Sequence, residues 1–179
     1  MQGGFLHKKP FIDRRGVVGY FVKRLCLCSH QAVERLERNG YVLAVLSTAD
    51  GRALSPVQLQ KLFFLLDARV ADRLGGRYFN FAPYDYGPFD ADVYRVVEAL
   101  ESDGRAAISA SSPSWRSYRL TPEGQLEGAA LLATLDPKVR DYARRCCEFV
   151  LGLSFTELVS AIYREFPEMK ANSVFVDQS

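Results

Sequence analysis

The tetrapeptide Ser55-Pro56-Val57-Gln58 constrains this chain more than any other feature, because it fixes where a helix begins. The serine hydroxyl and the glutamine side chain satisfy backbone N–H groups that a helix start leaves orphaned. Proline at the first helical position has no N–H to satisfy. Leu59, Leu62, Phe63, Leu66 and Val70 follow at helical spacing, and Gly75-Gly76 is the expected stop.

Similar punctuation runs along the rest of the chain. Ser29 to about Ser47 reads as helix, with Asn39-Gly40 as a kink or break, and Thr48-Ala-Asp-Gly51 as a turn. Residues 77–88 are irregular and aromatic. Asp90 then caps an amphipathic helix with the stripe Val93, Val96, Val97 and Leu100, closed by Gly104. Ala106–Ala110 and Trp115–Leu120 are expected as two short strands joined through Ser111-Ser112-Pro113-Ser114. Thr121-Pro122 and Asp136-Pro137 open further helices. The second carries Val139, Tyr142, Ala143, Cys146 and Phe149 on one face. Ser154-Phe-Thr-Glu157 is a second capping box, and Pro167 stops the helix it opens.

The order helix, helix, helix, hairpin, helices predicts a mainly α fold: a winged-helix-like domain with a small β-hairpin wing and C-terminal helices. The expected organisation is a basic N-terminal arm over 1–28, the winged-helix-like domain over 29–125, and a C-terminal helical extension over 126–179 packing on the same core.

The net charge of +2 hides an asymmetry. Residues 1–24 hold six Lys/Arg and one acid, giving +5, while the remaining 155 residues hold 17 basic and 20 acidic side chains, giving −3. The basic character belongs to the arm, through Lys8, Lys9, Arg14 and Arg15 above all. The apolar run Val17–Val22 is broken by Gly19, followed by Lys23 and Arg24, and no small-residue cleavage site comes after it, which argues against a signal peptide. No run of about 18 apolar residues predicts a membrane span. The four cysteines stand as Cys26/Cys28 and Cys146/Cys147, a pattern foreign to zinc knuckles. They read as reduced thiols of a cytoplasmic protein. A four-cysteine zinc site would require the arm to fold onto the last third of the chain.

Enzymatic options are thin. The two histidines, His7 and His30, lie in or beside the arm, so a Ser-His or Cys-His pair within the core is excluded by inventory. Neither G-x-x-x-x-G-K-[ST] nor G-x-G-x-x-G occurs, so no phosphate cradle is expected. The reading is non-enzymatic, with no cofactor.

Leu54-Ser-Pro-Val-Gln-Leu-Gln-Lys-Leu62 and Phe79-Asn-Phe-Ala-Pro-Tyr-Asp-Tyr-Gly-Pro-Phe89 resemble the Panacea (SocA-like antitoxin) domains and the related YwgA-like proteins, with an "LQKL" helix followed by an aromatic "YGP" turn. The resemblance covers roughly residues 40–125, and Glu168–Val174 looks YwgA-like. It implies a prokaryotic, often phage-associated protein. Panacea domains bind and neutralise a partner toxin, and a SocA-type member is a proteolytic adaptor. No catalytic residues carry over, and the basic arm and long helical tail depart from typical antitoxins.

The candidate partner surface is Tyr84, Asp85 and Tyr86 of the aromatic turn, with Lys61 beside it and Asp92 and Glu98 on the third helix. The alternative for the turn is packing: Gly87-Pro88 sets its shape and the rings are core. Short aromatic runs are usually packing, which puts that reading first. For the adjoining helix the plain reading also leads, with Gln58 capping, Gln60 solvated, and Lys61 lying over apolar surface with its head in water.

The third helix carries Asp90, Asp92, Glu98, Glu101 and Asp103 against Arg95 alone. It occupies the recognition position of a winged helix, yet that charge suits a basic protein partner better than DNA. A DNA-binding regulator acting as a dimer is the second reading. It would use Trp115, Arg116 and Arg119 of the wing together with Lys8, Lys9, Arg14 and Arg15. The alternative for the wing is a hairpin with one face buried and its arginines on the solvent side.

Overall fold

In the computed structural model, residues 35–112 and 115–175 are described. They fall within one unit, Val33–Ser179. The expectations for the arm lie outside the described residues, including Lys8, Lys9, Arg14, Arg15, Cys26 and Cys28. So does the proposed helix start at Ser29.

The described residues form six α-helices and two small antiparallel sheets, a mainly helical architecture. Helix α1 (Arg38–Leu46) is buried on every side from Tyr41 to Leu46, as befits a central helix. Asn39-Gly40 does not break it. Both residues lie in its first turn, where a weak helix former costs little. A short 3-10 turn, Ser47–Ala49, follows, and Asp50 and Gly51 adopt positive φ to reverse the chain.

Helix α2 (Pro56–Arg69) starts on the expected capping box: the Ser55 hydroxyl accepts from Gln58 N–H and the Gln58 side chain accepts from Ser55 N–H. It ends at Arg69, earlier than Gly75-Gly76 suggested. A 3-10 turn, Ala71–Leu74, intervenes before Gly75 closes it. Nine consecutive residues of α2, Leu59–Asp67, are buried. Among them Asp67 accepts hydrogen bonds from the Tyr78 and Phe79 N–H groups at 3.1 and 2.8 Å. Desolvation pushes its pKa up despite those bonds. This carboxylate anchors the irregular aromatic segment, whose Tyr78 stacks on Tyr41 with centroids 3.8 Å apart.

The aromatic turn is a hairpin of β1 (Ala82–Tyr84) and β2 (Gly87–Phe89). Helix α3 (Ala91–Ser102) is capped by Asp90, whose carboxylate accepts from Asp92 N–H, and buries Val93, Val96, Val97 and Leu100 as read. Strands β3 (Ala106–Ser112) and β4 (Trp115–Leu120) pair from Ala106↔Leu120 to Ser112↔Trp115, with an irregularity between Ala110 and Ser112. Leu54, just before α2, bridges to Tyr118 of β4 through two backbone hydrogen bonds of 2.8 and 2.9 Å, which ties the second hairpin to the start of α2.

Helices α4 (Pro122–Thr134), α5 (Pro137–Gly152) and α6 (Phe155–Glu165) complete the unit, each opened by the expected cap. Helix α4 runs across the 125/126 division and packs on α1. At their crossing a Cβ on Gly128 would stand 2.4 Å from the Leu43 carbonyl oxygen, so only glycine permits that approach. On α5, Val139, Ala143 and Cys146 are buried as expected, but Phe149 is 42 % exposed. Among the described residues no helix is long and apolar enough to cross a membrane.

Candidate functional site

The first turns of α2, the β1–β2 hairpin, α3, the tip of β4 and the start of α6 enclose an open groove of about 740 Å³. Its apolar lining is aromatic: Tyr84 and Phe89 from the hairpin, Tyr86 at its turn, Tyr94 from α3, Trp115 from β4 and Phe155 from α6. The rings are mutually braced. Tyr84 meets Phe89 at 5.0 Å, Phe89 meets Tyr94 at 5.8 Å, and Tyr86 meets Phe155 edge-on at 5.1 Å. Tyr94 also stacks on the buried Tyr118 at 5.6 Å. Its phenol pKa is pushed up to about 12, first by burial and then by Tyr118.

The packing reading of the turn therefore fails for its two tyrosines. Tyr84 is 53 % and Tyr86 42 % exposed, and Trp115 is 75 % exposed. The reason lies far away in sequence. The C-terminal segment is tied to the hairpin, where Val174 N–H and the Ser173 hydroxyl both donate to the Asp85 carbonyl and the Asn172 amide donates to that of Pro83. The turn is held through its backbone carbonyls, and its two tyrosine rings line the groove.

The plain readings of Gln60 and Lys61 also fail. Both side chains are buried, each 2 % exposed. The Gln60 amide clamps Asp90: it donates to the Asp90 carbonyl at 2.9 Å and accepts from Asp90 N–H at 3.0 Å, so it locks the start of α3 to α2. Lys61 Nζ donates to the Pro88 carbonyl at 3.1 Å. Among the described residues no carboxylate lies within ion-pair distance of it. Burial without a counter-charge pushes its pKa down to about 7. Gly87 makes room for it: its φ is +95°, and a Cβ there would meet Lys61 Nζ at 3.4 Å and the Tyr163 ring at 3.3 Å.

Of the residues singled out in the sequence, the groove brings together Lys61, Tyr84, Asp85, Tyr86, Trp115 and Arg116. Asp92 and Glu98 do not line it. Their charges are met within the chain, Asp92 by Arg38 at 3.1 Å and by Arg95, and Glu98 by Arg116 at 3.7 Å. Glu101 accepts from Ile108 N–H. The acidic face of α3 is thus largely offset by arginines from three elements. Nor do the two wing arginines share a surface. Arg116 lines the groove, whereas Arg119, also exposed, does not.

Tyr94, Phe89 and Phe155 also line the groove, although no motif in the sequence marks them as site residues. Tyr94 lies off the valine stripe of α3, one signal that it faces elsewhere. Phe155 keeps helical spacing with Leu158 and Ile162 and so resembled core.

Cys146 and Cys147 are free, buried thiols, and burial pushes Cys146 up to about 11. Among the described residues no group of three or more His, Cys, Asp or Glu is arranged to hold a metal ion. Compared with protein-family models, curated proteins and solved structures, the chain matches none.

Proposed function

We propose that this protein is a non-enzymatic protein-binding adaptor, antitoxin-like in the manner of the Panacea (SocA-like) and YwgA-like domains, acting in a prokaryotic toxin–antitoxin or phage-defence setting. The observation that carries this reading is the groove: six aromatic side chains converge on one open cleft, four of them (Tyr84, Tyr86, Trp115 and Phe155) substantially exposed. Exposed, braced aromatics give large contact area at low cost in side-chain entropy, which is why they anchor protein interfaces. The partner surface is then Lys61, Tyr84, Asp85, Tyr86, Trp115 and Phe155. Asp92 and Glu98 would act at its margin, Glu98 through Arg116.

The scaffold supports a winged-helix-like reading. Three helices precede the β3–β4 hairpin, and the Leu54 bridge to Tyr118 ties that hairpin to the segment between α1 and α2. That order is also what favours the second reading, a DNA-binding regulator. Charge weighs against it. The exposed face of α3 carries Asp92, Glu98 and Glu101, and the arginines nearest to it are spent on those acids, leaving little to neutralise phosphates.

A tagged full-length chain, isolated from its native cells without nuclease, separates the two. The adaptor reading expects a stoichiometric protein that survives high salt and is lost when Tyr86→Ala and Trp115→Ala are combined. It fails if the double variant retains that protein unchanged. Nucleic acid alone, released as salt rises and lost in Arg116→Glu/Arg119→Glu, would establish the regulator instead.

A further inference from the structure

Lys61 is an expensive residue for the fold. Its ammonium is almost wholly removed from water, it has three donors, and one backbone carbonyl takes one of them. A structural lysine would normally run its stem over apolar surface and keep its head in solvent. Here the head lies at the floor of the aromatic groove, beneath a turn whose Gly87 conformation makes room for it.

We propose that Lys61 is the receptor for the free α-carboxylate of a partner chain, whose apolar C-terminal side chains lie against Tyr84, Tyr86, Tyr94 and Phe155. This rests on the adaptor reading and names the part of the partner that the groove takes. Three observations point to a carboxylate at the end of a chain. The amine at the floor is positive when protonated, and no acid among the described residues pairs with it. The lining around it is aromatic and apolar, and the volume of about 740 Å³ falls in the range that encloses a ligand the size of a few residues. Among the described residues, the acid that lines the groove is Asp85, which belongs to the turn at the rim. An acidic segment lying across the rim would meet that carboxylate, whereas a chain end carries a single charge to the floor and leaves apolar atoms at the rim. Capture of a terminal carboxylate is an established way for a domain to read a peptide. The ion pair would form in a site already stripped of water, where a charge-assisted hydrogen bond is strong.

The direct test uses N-acetyl-phenylalanine and N-acetyl-phenylalaninamide as probes, which differ in the carboxylate alone. Binding to the full chain is followed by NMR at the indole N–H of Trp115, the sole tryptophan. The acid is expected to bind at least about tenfold more tightly than the amide, the discrimination of one desolvated charge pair. Lys61→Met, verified as folded by its unfolding curve, is expected to bring the acid down to the amide, while Lys138→Met on α5 leaves the preference intact. Extension to N-acetyl-Leu-Leu-Phe is expected to tighten binding further as more of the groove is covered. Equal affinity for acid and amide, no binding of either, or a preference that survives Lys61→Met overturns the proposal. A short acid that gains nothing from extension overturns the chain-end assignment in favour of a small free carboxylate. These probes report independently of partner capture. If they fail while the groove still captures its protein, the adaptor reading stands without the carboxylate.

Discussion

Replacing Lys61 by methionine should stabilise this protein at neutral pH, and the gain should vanish in base. Burial lowers the Lys61 pKa from the ordinary 10.5 to about 7. Each pH unit of that difference is worth about 1.4 kcal/mol, so keeping the lysine in its native position at or below neutral pH costs the fold roughly 5 kcal/mol. Between pH 7 and 10.5 the unfolded chain holds a proton on this amine that the native protein has released. Wild-type stability therefore rises with pH through that window relative to a variant that cannot titrate there, and the difference is flat below it. Methionine keeps the apolar stem but leaves the Pro88 carbonyl without its donor, a loss of about 1 to 2 kcal/mol. The variant should thus be more stable by about 3 kcal/mol at pH 6.5, and this advantage should shrink by about 1.4 kcal/mol per pH unit above 7 and reverse near pH 9. Urea unfolding of both proteins across that range, with the slope on denaturant held common, measures the difference. An advantage that is constant with pH, or a variant less stable at pH 6.5, would refute the claim that Lys61 sits buried and uncompensated.

Gly128→Ala should destabilise by about 3 kcal/mol or more and lower the thermal midpoint sharply, because its Cβ would stand 2.4 Å from a backbone oxygen that cannot yield without moving α1. Asp67→Ala should cost about 3 kcal/mol in chemical unfolding, since it leaves the Tyr78 and Phe79 N–H groups buried without an acceptor. Cys146 and Cys147 should resist thiol reagents in the native protein at pH 8 and react on unfolding, as burial raises both thiols. Tyr86→Ala should leave the unfolding midpoint within about 0.5 kcal/mol of wild type, being partly exposed, and still weaken partner capture.

Helix starts were legible wherever a cap is local. The boxes at Ser55 and Ser154 and the caps at Asp90, Thr121 and Asp136 all stand where the chain announces them. The start of α1 was not, because Glu37 makes no side-chain cap and the Asn39-Gly40 pair mimics a break. Gln60 and Lys61 were misread for a different reason. Periodicity separates the faces of a helix only when one face is wet, and α2 is buried through nine successive residues. A polar residue there is placed by its tertiary partners, the Asp90 backbone and the Pro88 carbonyl, about 30 residues on. The exposure of Tyr84 and Tyr86 depends on a still more distant contact with Ser173 and Val174. The charge of α3 was visible in its acids and in Arg95, but the other arginines that offset it come from positions 38 and 116, and only the fold brings those to the helix.

That the aromatic groove is where a protein partner sits is tested most directly by photocrosslinking in the native cells, with p-benzoylphenylalanine in place of Tyr86 and, as a control, in place of the exposed Leu126 on α4. A single protein adduct at position 86, absent at 126 and removed by Trp115→Ala in the same chain, is the predicted result. No protein adduct at 86, or the same adducts from both positions, would contradict it.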